Sequence, residues 1–168
     1  MGYVSMTNIF KELSSFGYHD TTITQVKISG KTVKIYFKDG IYNLDSNGKE
    51  SNLSDSVFAV INIDCSICQK ASDAIEITAI KNKRVVGFDI DKERDCRLLK
   101  NLEVVDLYYS QFDSTIIIEC GNKNFYLYIK ISSCLSFGIK HAKPLSDNWL
   151  IASQIPSSVS HNRIYNTK

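Results

Sequence analysis

The chain has 168 residues, 43% of them hydrophobic and 23% charged, with a formal net charge of +2, which is the make-up of one ordinary domain with room for a single core. The near balance of charge argues against a dedicated nucleic-acid binder, which carries a strongly basic domain, and against a disordered acidic chaperone. Two prolines and eight glycines leave no collagen-like, Pro-rich or linker architecture.

Met6 to Phe16 carries Ile9, Phe10 and Leu13 at helical spacing with Gly17 just beyond, which predicts a short N-terminal helix. Isoleucine, the commonest large residue, then combines with Val, Tyr, Phe and Thr to favour strands. Thr22–Ser29 and Thr32–Lys38 flank Ser29-Gly30-Lys31 as a hairpin; Val33, Ile35 and Phe37 point one way and Lys34, Tyr36 and Lys38 the other. Asp39-Gly40 turns into Ile41–Leu44, and Ser46-Asn47-Gly48 closes that arm. Val57–Ile63 reads as a more fully buried strand, and Ile75–Ile80 pairs with Val85–Ile90 across residues 81–84.

From Asp91 to Asn101 charges surround Cys96, Leu98 and Leu99, which predicts an amphipathic helix near 92–100 capped by Asp91. Strands resume at Leu102–Tyr109, Thr115–Cys120, Phe125–Ser132 and Leu135–Lys140. Beyond Pro144, Ser146–Gln154 predicts a last helix near 146–154 packed through Trp149, Leu150 and Ile151. The expected fold is α+β: mainly an antiparallel β meander of about 8–10 strands in a single domain over 1–155, with a flexible tail at 156–168.

His19-Asp20-Thr21-Thr22-Ile23 is echoed by Phe112-Asp113-Ser114-Thr115-Ile116 and, loosely, by Ser72-Asp73-Ala74-Ile75. The spacing is irregular, so these read as recurring strand starts, in which Asp bonds nearby backbone, and not as an array. No apolar run reaches the length of a membrane span, and the longest, Val57–Ile63, contains Asn62. Met1–Phe10 has no secretory pattern, and Met6 breaks a myristoylation motif at Gly2. Cys65, Cys68, Cys96, Cys120 and Cys134 are odd in number and lie in largely apolar segments, which suits reduced thiols and a cytoplasmic location.

Chemistry-bearing motifs are sparse. Cys65 and Cys68 form a C-x-x-C, but no second Cys or His pair completes a zinc site, and no βαβ context supports a redox role. His19-Asp20 on a strand would point to opposite faces, and His141 and His161 lack partners at ligand spacing. Asp89, Asp91, Glu93 and Asp95 recur every second residue, yet Lys92 and Arg94 interrupt them and no calcium-loop pattern follows. Phosphate-cradling, nucleophile-elbow and H-E-x-x-H patterns are lacking. No cofactor, metal or catalytic residue is assigned, and a non-enzyme is expected.

Charge is unevenly spread. Val85–Glu119 holds four basic and eight acidic residues, whereas Cys120–Lys168 holds six basic and one acidic. The acidic stretch carries Tyr108 and Tyr109, and the next hairpin sets Tyr126 and Tyr128 opposite Leu127 and Ile129. Tyrosines in a row on a sheet suit a partner interface, with cross-strand packing as the alternative. The predicted partner-binding set is Asp89, Asp91, Glu93, Asp95, Asp106, Tyr108, Tyr109, Asp113, Tyr126 and Tyr128. Such a patch would steer and hold a basic protein, imitating nucleic acid electrostatically.

Residues 16–42, from Phe16-Gly17-Tyr18-His19-Asp20-Thr21-Thr22-Ile23 through Val26-Lys27-Ile28 and Val33–Phe37 to Asp39-Gly40-Ile41-Tyr42, resemble the opening of small bacterial β-rich families. Members of such families are often immunity proteins of polymorphic toxin and contact-dependent growth inhibition systems. The resemblance implies a cytoplasmic protein that neutralises a cognate toxin domain, such as a basic nuclease, by covering its active site or an exosite. It transfers no catalytic residue, and the balanced charge and lack of a spanning apolar run lead to the expectation of no nucleic-acid or membrane partner. The alternative is a small-ligand carrier, whose strands would curl around an enclosed apolar cavity. An enzyme using Cys65 or His19 is a third class.

Overall fold

In a computed structural model, residues 7–141 are described, with Thr7 and Asn8 as backbone alone. The helix expected near 146–154 and the tail at 156–168 lie outside the described residues. In chain order the elements are α1 (Thr7–Leu13), β1 (Phe16–Gly17), β2 (Thr22–Ile23), β3 (Gln25–Ser29), β4 (Thr32–Phe37), β5 (Tyr42–Leu44), β6 (Glu50–Leu53) and β7 (Val57–Ile63). A 3-10 turn (Ala71–Ala74), β8 (Ile75–Lys81), β9 (Arg84–Val86), α2 (Glu93–Cys96), β10 (Leu102–Ser110), β11 (Thr115–Gly121), β12 (Tyr126–Ile131) and β13 (Cys134–His141) follow.

Every strand pairing is antiparallel, as expected. The class is nearly all-β, with far less helix than an α+β fold implies. Among the described residues there are thirteen strands, more than expected, because β1, β2, β5 and β9 are only two or three residues long. They form a six-stranded sheet in the order β2-β10-β11-β12-β8-β9, a four-stranded sheet β13-β7-β4-β3 and a small sheet β1-β5-β6.

The alternation that predicted the strands also builds the core. Val33, Ile35 and Phe37 of β4 and Ala59, Ile61 and Ile63 of β7 are buried on the four-stranded side. Val104, Ile118, Leu127 and Ile129 answer from the six-stranded side, and all belong to one apolar cluster. Each large side chain so buried contributes roughly 1.5–3 kcal/mol relative to exposure. Ile9 and Leu13 of α1 join the same cluster.

Two corners tie the sheets together. Thr24, between β2 and β3, donates its N–H to Tyr36 O at 2.8 Å as the chain switches sheets. Ser132-Ser133, between β12 and β13, makes the second switch, with Ser133 at φ 55°. There Ser132 N–H donates to Ala74 O and Asp64 N–H to Ser133 O, both at 2.8 Å, and Cys134 N–H donates to Ser114 O at 2.9 Å.

Three local expectations need correction. Gly17 is not a helix cap: α1 stops at Leu13, and Phe16-Gly17 pairs with Asn43 and Tyr42 beneath Glu50, whose carboxylate would lie 2.5 Å from a Cβ at Gly17. The helix near 92–100 is a single turn, Glu93–Cys96, begun at Lys92 and not capped by Asp91. Side chains divert it: Asp89 N–H donates to Asp95 Oδ2 at 2.8 Å, Cys96 Sγ donates to Ile90 O at 2.7 Å, and the bonds at Leu98 and Leu99 tighten to i→i−3. The strand expected at Val85–Ile90 ends at Val86, and Phe88 and Ile90 pack on the core outside the ladder.

The three sequence echoes precede β2, β11 and β8 in three backbone settings: Asp20 at φ 59°, Ser114 at φ 51°, and a 3-10 turn over Ala71–Ala74. Of the three aspartates, Asp73 accepts a neighbouring backbone N–H, from Lys70 at 3.1 Å. No described helix is long and apolar enough to cross a membrane.

Candidate partner-binding face

Residues opposite one another in a ladder share a face, so the register of the six-stranded sheet defines what its outer side presents. One row is Tyr108, Ile117, Lys130 and Glu76; the next is Asp106, Glu119, Tyr128 and Thr78. A third is Glu103, Gly121, Tyr126, Ile80 and Val85. Tyr108 is 48% exposed, Tyr128 37% and Val85 74%.

A β-bulge sets this arrangement. Val104 pairs with Cys120 and Asp106 with Glu119, leaving Val105 as the extra residue. Without it, strict alternation from buried Leu102 would turn Asp106 and Tyr108 inward and Tyr109 outward. With it, Asp106 and Tyr108 face out, while the Tyr109 hydroxyl is buried without a hydrogen-bond partner among the described residues.

The electrostatics of the face are unusual. Asp106 and Glu119 stand directly opposite each other, an arrangement that destabilises a ladder. Tyr108 OH donates to Glu119 Oε2 at 3.3 Å. Hydrogen bonding to Asp106, then desolvation and the two neighbouring carboxylates, push the Tyr108 phenol up to about 12. Tyr126 and Tyr128 meet edge to face at 5.4 Å. Lys130 lies 4.0 Å from Glu76 and balances it, whereas Glu103, Asp106 and Glu119 have no cationic side chain within ion-pair distance among the described residues.

Of the ten predicted partner-binding residues, the fold brings four onto this face: Asp106, Tyr108, Tyr126 and Tyr128. The segment holding Asp89, Asp91, Glu93 and Asp95 packs elsewhere, with Ile90, Asp91 and Cys96 beside Val26 and Ile28 of β3. Its carboxylates are engaged within the segment and by Lys70. Lys70 Nζ contacts both Asp91 oxygens at 3.1 Å and holds that carboxyl below its ordinary range. The Asp89 N–H does the same for buried Asp95. Asp89 pairs with Lys92 at 3.3 Å, and Glu93 pairs with Arg97. Asp113 lies in the β10–β11 turn, its carboxyl lowered by the Ser110 hydroxyl. The predicted set omits Glu103 and Glu119, which the register places on this face; the position of Glu119, two residues on from Ile117 in a strand, is the signal for it in the sequence.

His19 and Asp20 do meet, Nδ1 to Oδ2 at 2.9 Å, because Asp20 adopts a left-handed turn and is not in a strand. All five cysteines are free. Burial pushes the Cys120 and Cys134 thiols up to about 12, and the Cys68 thiol rises through desolvation and its bond with Cys65. Among the described residues no group of three His, Cys, Asp or Glu side chains is placed to hold a metal ion. Clefts of about 490, 440 and 330 Å³ open on the surface. No known family, curated protein or solved structure matches the chain.

Proposed function

We propose that this chain is a non-enzymatic binding protein that docks a basic protein on the outer face of its six-stranded sheet. The observation that carries this reading is the group of carboxylates Glu103, Asp106 and Glu119, without a cationic partner among the described residues and set among three tyrosines. A like-charge pair held across a ladder costs stability, and a cationic partner relieves that cost on binding. Half-exposed Tyr108 and Tyr128 supply rigid apolar area with a polar tip, the usual anchor chemistry of an interface.

The resemblance of residues 16–42 to immunity proteins gives the partner its class. The cognate protein is a bacterial toxin domain, neutralised in the cytoplasm by occlusion of its active site or an exosite. Free thiols suit that reducing compartment. A small-ligand carrier is less well supported, because side chains from both sheets fill the space between them and the clefts are surface grooves.

The test is co-expression with the product of the neighbouring upstream reading frame, followed by association kinetics. Protection and tight binding are expected. Asp106→Asn with Glu119→Gln should slow association, most strongly at low salt, and Tyr108→Ala with Tyr128→Ala should speed dissociation. Undiminished protection and unchanged kinetics in the four-site variant would reject this face as the interface.

A further inference from the structure

The outer face of the four-stranded sheet carries the opposite chemistry. Its ladder rows are Gln25, Tyr36, Phe58 and Lys140; Lys27, Lys34, Val60 and Gly138; and Ser29, Thr32, Asn62 and Ser136. None of these twelve positions is acidic, and three are lysine. Lys27 and Lys34 stand directly opposite each other, and none of the three lysines forms an ion pair among the described residues.

At the centre, the Tyr36 and Phe58 rings stack at 5.5 Å and 27°. Lys27 Nζ lies 5.7 Å from the Tyr36 ring centre, and Lys34 Nζ lies 5.7 Å from that of Phe58. Gly138 sits in the adjoining row, and a Cβ there would meet nothing within 4 Å, so the floor beside the rings is open. A glycine within a strand weakens it and often marks a place where a ligand comes close.

From this juxtaposition of a central aromatic pair, three lysines without an ion pair among the described residues and an open strand glycine, we infer that this face binds a single-stranded polynucleotide. Tyr36 and Phe58 are part-buried, which leaves ring surface accessible; bases stack on accessible aromatic surface of a sheet, and lysines around it neutralise the phosphates. The balanced net charge, which argued against nucleic acid, averages over the whole chain and does not report the local excess of lysine on this face. With lysines and no arginine on the face, phosphate is met by point charges without bidentate base reading, so recognition is tolerant of sequence. An acidic protein would satisfy the lysines but bring no base to add to the Tyr36–Phe58 stack.

The experiment is fluorescence anisotropy of the full chain with labelled 12-mers of dT and rU, a DNA duplex and polyglutamate of similar charge. Binding of the single strands in the ~10⁻⁴–10⁻⁶ M range is expected, falling with salt at a log–log slope of about −2 for three phosphate contacts. Lys27→Gln, Lys34→Gln and Lys140→Gln should each flatten the slope by about 0.7. Tyr36→Leu with Phe58→Leu, which keeps apolar volume and removes the π-faces, should weaken binding by about tenfold or more. The exposed Lys27 and Lys140 variants keep the test decisive if the leucine variant does not fold. Absence of single-strand binding at low salt, equal affinity for polyglutamate, or a slope indifferent to the lysines would each overturn the inference.

Discussion

Replacing Asp106 with Asn should stabilise the protein while weakening its hold on a basic partner. Asp106 faces Glu119 across β10 and β11, where Cβ atoms stand about 5 Å apart and the charges about 6 Å. In water two such charges repel by ~0.7 kcal/mol, and screening at physiological ionic strength reduces this to ~0.3 kcal/mol. For a chain of this length that corresponds to a rise in Tm of about 1 °C, or about 2 °C when salt is removed. The substitution is nearly isosteric, and its amide oxygen can still accept the Leu107 N–H that Asp106 Oδ1 accepts at 2.8 Å. A second signature comes from the phenol: hydrogen bonding to Asp106 is the largest cause of the rise at Tyr108, so ultraviolet titration should show that group ionising at lower pH in the variant. Thermal unfolding at low and high salt, with partner association in parallel, reads all three effects. A lower Tm, a stability change independent of salt, or an unmoved tyrosine titration would refute the reasoning that this pair is held strained and ready for a cation.

Two further outcomes concern the core. Cys120 and Cys134 should resist an aromatic disulfide reagent in the native state, leaving at most Cys65, Cys68 and Cys96 to react until denaturant exposes all five. Their folded pKa values lie above the unfolded 9, so the stability they contribute is complete below about pH 9 and is lost as pH rises towards 12; Cys120→Ala should flatten that alkaline limb of Tm against pH. Gly40→Ala should destabilise by at least about 1–3 kcal/mol in denaturant titration, because Gly40 sits at φ 87° and a Cβ there would lie 2.0 Å from Ser54 O.

The ladder was legible where hydrophobic alternation and turn residues agree. Gly30 marked the β3–β4 hairpin, and Val57–Ile63 coincides with β7 residue for residue. The β8–β9 loop, with Asn82 and Lys83 both at positive φ, carries no glycine to announce its tight two-residue turn, yet the flanking strands revealed it. What alternation cannot show is a bulge, and the one at Val105 decides whether Tyr108 or Tyr109 faces solvent. The 87–101 segment departs from expectation for a different reason: its helical spacing is real, but Asp95 and Cys96 bind backbone groups upstream and fold the segment on itself. The lysine-bearing face was half visible in Lys34 and Tyr36. Phe58 and Lys140 reach it only through pairings between β4, β7 and β13, which no local pattern encodes.

The Ser132-Ser133 corner has a mechanical consequence. The link is two residues long, and its backbone is held by bonds from Ser132 N–H to Ala74 O and from Asp64 N–H to Ser133 O, so with the Thr24 corner it keeps the two sheets face to face with a distinct front and back. The two proposed docking faces therefore lie on opposite sides of one packed core, so the proposed basic protein and polynucleotide would not compete for the same surface.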